Sequence, residues 1–375
     1  MEARDAIEAG REFPLPRDAG EPDFGNLLAV LRREKPARPT LFEFFRNPRI
    51  DARLAGYPLI ASGPDANTQR FMIDSFCRCG YDYATLSVPG FAFDYGQVEK
   101  ARTRSLNQGN PITDRESFRK YTWPDPEAAD LTSLDRAASH LRPGMKIVAM
   151  GPAGTLEGVV RLVGYDRLCY LLADDEGLAG DLFEAVGSRL VRYYERVAAH
   201  PTVGALISND DWGFKSQTML SPRDMRRFVF PWHKRIVEVV HAAGKPAILH
   251  SCGNLESVMD DVIEYMGFDG KHSFEDVILP VEQAYDKYGG RIAILGGIDV
   301  DYLCHAAPEQ IYRRSQAMLR RAEKRGGYAL GSGNSIPDYV PDQGFLAMVW
   351  AALEDRTPVG GRSSATRFGG SASQN

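Results

Sequence analysis

The chain has 375 residues, room for one large domain or two small ones. Hydrophobic residues make up 43% and charged residues 25%, as in a soluble globular protein, and a net charge of -5 argues against a nucleic-acid binder. No apolar run reaches the roughly 20 residues of a membrane helix. Met1–Asp5 leads into charged sequence without a signal-peptide apolar region. The five cysteines, at 77, 79, 169, 252 and 304, are odd in number and scattered, so reduced thiols and a cytoplasmic location are expected.

Residues 1–25 are polar, carry Pro14 and Pro16, and are expected to form an arm. Asp23 then precedes Leu27, Leu28, Val30 and Leu31, the pattern of a short capped amphipathic helix. Cys77 and Cys79 fall in a further amphipathic segment, where positions i and i+2 diverge, so they are not expected to act as a pair. From there short apolar strands alternate with longer amphipathic helices. Strands are predicted at Tyr83–Val88, Lys146–Gly151, Gly204–Asn209, Pro246–Ser251, Gly267–Lys271, Arg291–Gly296 and Gly327–Gly331. Helices are predicted at Gly177–His200, Ser221–Ala243, Leu255–Tyr265, Val281–Tyr288 and Pro308–Arg325; Ser221-Pro222 supplies a helix start. Residues 357–375, rich in Gly, Ser and Arg, read as a disordered tail.

Near-continuously apolar strands separated by helices imply a parallel sheet. Polar residues then decide between an open sheet and a closed barrel. Five strand ends carry them: Asn209–Gly213, His250–Asn254, His272–Asp276, Gly296–Asp299 and Gly331–Ser335. In a (β/α)8 barrel those ends converge on one site, whereas an open sheet concentrates its site at a switch point. The predicted fold is therefore a (β/α)8, TIM-like barrel over residues 26–356, with an N-terminal helical extension. Dinucleotide-binding, P-loop, nucleophile-elbow and catalytic-triad signatures are absent.

The sharpest chemical feature is His250-Ser251-Cys252-Gly253 at the end of an apolar run. Side chains at i and i+2 of a strand point the same way, and imidazole with thiolate is a zinc-preferring pair. A buried cysteine beside a backbone-satisfied histidine is the plainer alternative. A zinc site needs a third ligand, and the following rim offers His272 and Glu275. Asp210, Asp211 and Asn334 are further choices. Asp210 and Asp211 either cap a neighbouring helix, orient a metal-bound histidine, or act as a general base. Asp299 follows Gly296-Gly297, which let backbone approach a ligand; it serves as a helix cap or as a substrate contact. Phe91, Phe93 and Tyr95 follow the first strand and suit an apolar substrate wall, and Trp212 sits beside the aspartate pair. His233 and His241 lie in a helical stretch and read as structural or solvent-facing.

The series Asp210-Asp211-Trp212-Gly213, Ser221-Pro222, Pro231-Trp232, His250–Asn254, Gly296–Asp299 and Gly331–Pro341 resembles the uroporphyrinogen decarboxylase superfamily over roughly residues 25–353. That resemblance also implies a distorted (β/α)8 barrel with its pocket at the strand C-termini. The decarboxylases themselves need no metal. They carry an N-terminal Arg-Gln-Ala-Gly-Arg segment, an aspartate after the first strand and a late Gly-His-Gly. Here the corresponding stretches read Thr40–Asn47, Leu86–Gly90 and Gly333-Asn334-Ser335, so all three features are missing. The other branch holds corrinoid-linked methyltransferases of the methylcobamide:coenzyme M type, which bind zinc through His-x-Cys and a late cysteine. His250 and Cys252 match this pattern; the late cysteine falls at Asn334.

The resemblance thus implies a zinc-assisted methyltransferase acting on a small-molecule substrate with a corrinoid protein as partner. Its expected metal ligands are His250 and Cys252, with His272 or Glu275. Asp210, Asp211 and His250 are its expected catalytic groups, and Trp212, Asp299, Asn334, Phe91 and Tyr95 its substrate contacts. Barrels of this type often dimerise, so a homodimer is expected. The alternatives are a metal-free decarboxylase of a carboxylated tetrapyrrole and a non-catalytic tetrapyrrole- or corrinoid-binding protein.

Overall fold

The computed structural model describes residues 12–16, 19–61, 67–96 and 106–356. The predicted tail at 357–375 lies outside these residues. The strands are β1 (Tyr83–Ser87), β2 (Lys146–Met150), β3 (Val203–Asn209), β4 (Ala247–His250), β5 (Gly270–His272), β6 (Ala293–Leu295) and β7 (Tyr328–Ala329). They form one seven-stranded parallel sheet in sequence order, with helices between the strands. Sequential order and parallel pairing are what right-handed βα crossovers build when a sheet curls toward a barrel.

All seven predicted strands exist, but β5, β6 and β7 are shorter than predicted. Gly267, placed in a strand, instead ends the preceding turn with φ 77°, a left-handed position suited to glycine.

The eighth place, between β7 and β1, is taken by the segment Thr40–Asn47, which precedes β1 in sequence. On one side it pairs with the β7 end: Phe42 N donates to Leu330 O, and Leu330 N to Thr40 O, both at 2.8 Å. A second parallel bridge joins Arg46 and Ile336. On the other side the Tyr83 hydroxyl accepts from Glu43 N and donates to Glu43 O, each at 2.8 Å. A barrel seam closed on one edge by main chain and on the other by a side chain is one source of its distortion.

Among the described residues, the helices Gly25–Leu31, Pro48–Ala55 and Thr68–Arg78 of the N-terminal extension come before β1. Asp23 is not the residue that caps the first; it accepts from Gly25 N at 2.9 Å one position earlier, and the cap is Phe24. Of the expected arm, residues 12–16 pack against the body. Phe13 is buried, its N–H donates to Gln343 Oε1 at 2.7 Å, and Trp350 Nε1 donates to Pro14 O at 2.6 Å. Both partners belong to helix Asp342–Leu353, which is buried along nearly its whole length.

The helix predicted across Ser221–Ala243 starts as expected, with Ser221 Oγ accepting from Asp224 N at 3.1 Å and Pro222 in the first turn. It then widens into a π turn at Met225–Val229 before continuing as Phe230–Ala242. Pro231 explains the break: it has no N–H to donate, and its ring crowds the preceding turn. Among the described residues no helix is long and apolar enough to cross a membrane.

Candidate metal centre

Register brings the chemistry together. Asn209 pairs with His250, and His250 pairs with His272, so the ends of β3, β4 and β5 lie side by side. The turns that follow β3 and β4 pack backbone on backbone. Gly253 has φ 84°, and a Cβ there would stand 2.1 Å from Gly213 O, so both the torsion and the contact require glycine.

Asp211, His250 and Cys252 each offer a donor atom, and these atoms lie within 4.8 Å of one another. His250 Nε2 and Cys252 Sγ are 3.9 Å apart, and Cys252 N donates to Asp211 Oδ1 at 3.1 Å. Ligand atoms around a tetrahedral zinc stand about 3.6 Å apart, so the His250–Cys252 pair at 3.9 Å is a few tenths of an ångström from coordinating spacing, while the group as a whole, at up to 4.8 Å, would have to draw in by about 1 Å. Three protein donors with a fourth position left over is also the pattern of catalytic rather than structural zinc.

Burial, then the Asp211 carboxylate, push the Cys252 thiol up to about 12. A cation between them would turn both effects around and favour the thiolate. Burial also holds His250 well below the usual histidine range and lowers His272 to about 3, so both rings are neutral, the form in which imidazole binds metal. Lys271, between the two strand ends, is buried and lowered to about 8 for the same reason; its ammonium donates to Ser273 O at 2.5 Å. Ser273 itself has φ 84°, a left-handed torsion that costs a non-glycine residue about 1–3 kcal/mol and that clusters at functional sites.

Two of the four predicted metal ligands, His250 and Cys252, share this group. The third donor beside them is Asp211, not His272 or Glu275. His272 stands behind His250: its Nδ1 meets His250 Nδ1 at 2.8 Å, and its Nε2 faces Ser332 O at 3.3 Å, so both ring nitrogens are engaged. Glu275 lines a neighbouring cavity instead.

Asp210 points the other way from Asp211. Its oxygens accept from Leu156 N and Glu157 N at 2.8 Å each, at the start of helix Thr155–Val163, and from His233 Nε2 at 2.9 Å. Asp210 is thus engaged by a helix start and a buried histidine and stands apart from the donor group, where the expectation had put a catalytic carboxylate. His233 is thereby structural, as expected.

A cavity of about 1060 Å³ opens beside the donor group, lined in part by Asn334, Asp299, Glu275, Phe45 and Tyr339. Asn334 joins the two features: its Nδ2 donates to Cys252 Sγ at 3.2 Å while it lines the cavity. Asp299 lines the cavity too, but its oxygens accept from Asp301 N and Tyr302 N, as a helix cap, and from Asp276 N. The other predicted substrate contacts do not line it. Trp212 is fully buried against Phe230 and His233; Phe91 is buried and stacked on Tyr193; Tyr95 lies under the Arg161 guanidinium. Their large apolar area is core material.

One residue of the site has no mark in its local sequence. Glu43 is wholly buried, and its two oxygens accept from Ser332 N at 2.7 Å and Ser332 Oγ at 2.8 Å. Burial pushes its carboxyl up to about 7.

Comparison with known proteins places these features in a lineage. The family model for uroporphyrinogen decarboxylase (URO-D) matches residues 98–354. The uroporphyrinogen decarboxylase of Anaeromyxobacter dehalogenans is 27% identical over 188 residues, 50% of this chain and 51% of that protein. In that match the chain spans about half the relative's length. A uroporphyrinogen decarboxylase of Thermus thermophilus is 25% identical over 334 residues, 84% of this chain and 87% of that protein. Among solved structures, a methyltransferase from Methanosarcina mazei shares the fold, with a TM-score of 0.67 over 88% of this chain and 98% of that one, at 17% identity.

Proposed function

This chain belongs to the uroporphyrinogen decarboxylase family, and from that premise we propose that it is a zinc-assisted methyltransferase of the family. It moves a methyl group between a corrinoid carrier and a methylated or methoxylated small molecule or a thiol. The observation that carries this reading is the group Asp211, His250 and Cys252, joined to the large cavity through the bond from Asn334 to Cys252. Bound zinc makes a coordinated thiol nucleophilic at neutral pH, or polarises the oxygen of a methyl ether.

The chain's own residues supply the rest. His250, Cys252 and Asp211 hold the ion at the strand ends. Asn334, bonded to Cys252 Sγ, carries its amide from the metal edge into the cavity and orients the substrate there. Phe45 and Tyr339 add apolar surface to the cavity lining, at its solvent-facing side. The description of the Methanosarcina mazei neighbour as a methyltransferase fits this reading.

The names of the curated relatives favour a second reading, a metal-free decarboxylase of a carboxylated tetrapyrrole. The cavity's charge speaks against it. Among the described residues, its ionisable lining groups besides His305 include Glu275, Asp276, Asp299 and Asp301 against Lys215, and no arginine. A polycarboxylate would meet carboxylates where it needs bidentate cations.

Metal analysis of untagged protein tests the proposal. About one zinc per chain is expected in the wild type, with loss in both His250→Ala and Cys252→Ser, followed by methyl transfer with a corrinoid protein. Protein that binds no zinc when it is offered, and that releases carbon dioxide from uroporphyrinogen, would overturn it in favour of the decarboxylase.

A further inference from the structure

The two histidines at the ends of β4 and β5 share one proton. Their Nδ1 atoms are 2.8 Å apart, so one ring donates and the other accepts. The other nitrogen of His272 settles which. Its Nε2 faces Ser332 O at 3.3 Å, and a carbonyl oxygen only accepts. His272 therefore carries its proton on Nε2, its Nδ1 is the bare acceptor, and the shared proton belongs to His250 Nδ1. This leaves the lone pair of His250 on Nε2, the atom that faces Cys252 Sγ. Free imidazole side chains favour the opposite tautomer, with the proton on Nε2. The hydrogen bond of one ring nitrogen sets the state of the other.

The far end of this chain of bonds is also fixed. Ser332 O takes a second bond, from Gly297 N at 2.8 Å, and Ser332 is clamped from the other side by both oxygens of Glu43. The residues on either side of Glu43 hold the rings themselves. Phe44 packs on His250 with ring centroids 4.3 Å apart, and Phe42 meets the edge of His272 at 5.1 Å. Alternation along an extended segment puts the two phenylalanines on one side and the glutamate on the other. Space is reserved as well: a Cβ on Gly296 would stand 2.2 Å from Ser332 O and 3.0 Å from His272 Nε2.

We infer that His272 is a positioning residue that holds His250 in its Nδ1–H tautomer with Nε2 ready to bind metal, and that Glu43 anchors this relay through Ser332. The inference rests on the metal-site reading for its purpose, but its core claim concerns the metal-free protein. The relay reaches the metal edge from the segment 40–47, so it ties metal affinity to the seam that closes the barrel.

The experiment combines a spectrum with a titration. In metal-free protein labelled with 15N-histidine, long-range proton–nitrogen spectra should show His250 protonated at Nδ1 and His272 at Nε2. Zinc titration against a competing chelator should then show binding weakened roughly 10–100-fold in His272→Phe. His272→Asn, whose side-chain oxygen can accept from His250 Nδ1, should lose less. If His272→Phe does not fold, the spectrum and His272→Asn still decide. Should His250 show its proton on Nε2, or should both variants bind zinc as tightly as wild type, the inference falls while the metal site stands. If wild type binds no zinc, the metal-site reading falls, and the spectrum alone decides the tautomers.

Discussion

Asp210 and Asp211 are chain neighbours that end in opposite regions of the molecule. Asp210 turns into the wall between sheet and helices, 1% exposed, where two helix N–H groups and His233 use its oxygens. Asp211 turns to the rim, exposed, with the Cys252 N–H on one oxygen and the His250 and Cys252 donor atoms beside it. The two regions show what separates a structural carboxylate from one available for chemistry. Charge is the same in both; what differs is burial and how many hydrogen bonds the fold already directs at the oxygens.

The largest expected effect follows from the wall. Asp210→Ala strips His233 of its partner and uncaps helix Thr155–Val163, and removing one member of a buried polar pair costs about 3–5 kcal/mol. Urea unfolding should register that loss. Asp211→Ala should do the reverse: stability within about 0.5 kcal/mol of wild type, with zinc affinity falling beyond the roughly 10–100-fold typical of a lost supporting hydrogen bond. If Asp211→Ala unfolded the protein while Asp210→Ala did not, the contrast between wall and rim would be broken.

Glu43 sharpens the same comparison. It is as buried as Asp210 but accepts from Ser332, with no histidine or helix start against it. Its carboxyl is accordingly raised from 4.5 to about 7 by burial. The folded state keeps this proton longer than the unfolded chain does, so stability is highest below pH 4.5 for this group and declines as pH rises toward 7. The shift corresponds to about 3 kcal/mol. In Glu43→Gln that part of the slope between pH 4.5 and 7 should vanish from stability measured across pH. An unchanged slope would mean that Glu43 is ionised without penalty in the fold.

How much of this was legible in the chain depends on how far apart the partners lie. His250 and Cys252 were legible as a pair two residues apart at the end of an apolar run, although β4 ends at His250 and Cys252 lies in the turn beyond it. The strand ends that converge on a barrel rim were legible from their polar residues. The neighbour relation of His250 and His272 was legible too, since consecutive parallel strands pair. That His272 would stand behind His250 was not, because it depends on Ser332, 60 residues away. Asp210 and Asp211 were visible as a pair, but the choice between them is made by helix Thr155–Val163, more than 50 residues earlier. Trp212 looked like a site residue because it adjoins one, yet its indole packs inward against Phe230. Glu43 left no local trace, since its partner is 289 residues distant. Local pattern reports which residues reach the rim; tertiary packing decides which of them remain unsatisfied there.

The smallest expected effect tests the edge between rim and cavity. Asn334 stands where the resemblance puts a late cysteine, and its Nδ2 is already 3.2 Å from Cys252 Sγ. Asn334→Cys would place a second sulfur at the donor group in place of an amide that only bonds to the first. Thiolate is the stronger zinc ligand, so affinity should rise about tenfold, or about 1.4 kcal/mol. A chelator competition under reducing conditions measures it, the reductant keeping residues 252 and 334 from forming a disulfide. A tighter site with slower methyl transfer would mean that the new thiolate fills the position substrate needs, and that asparagine keeps this position open. Unchanged affinity would put residue 334 beyond reach of the ion and leave it to the cavity alone.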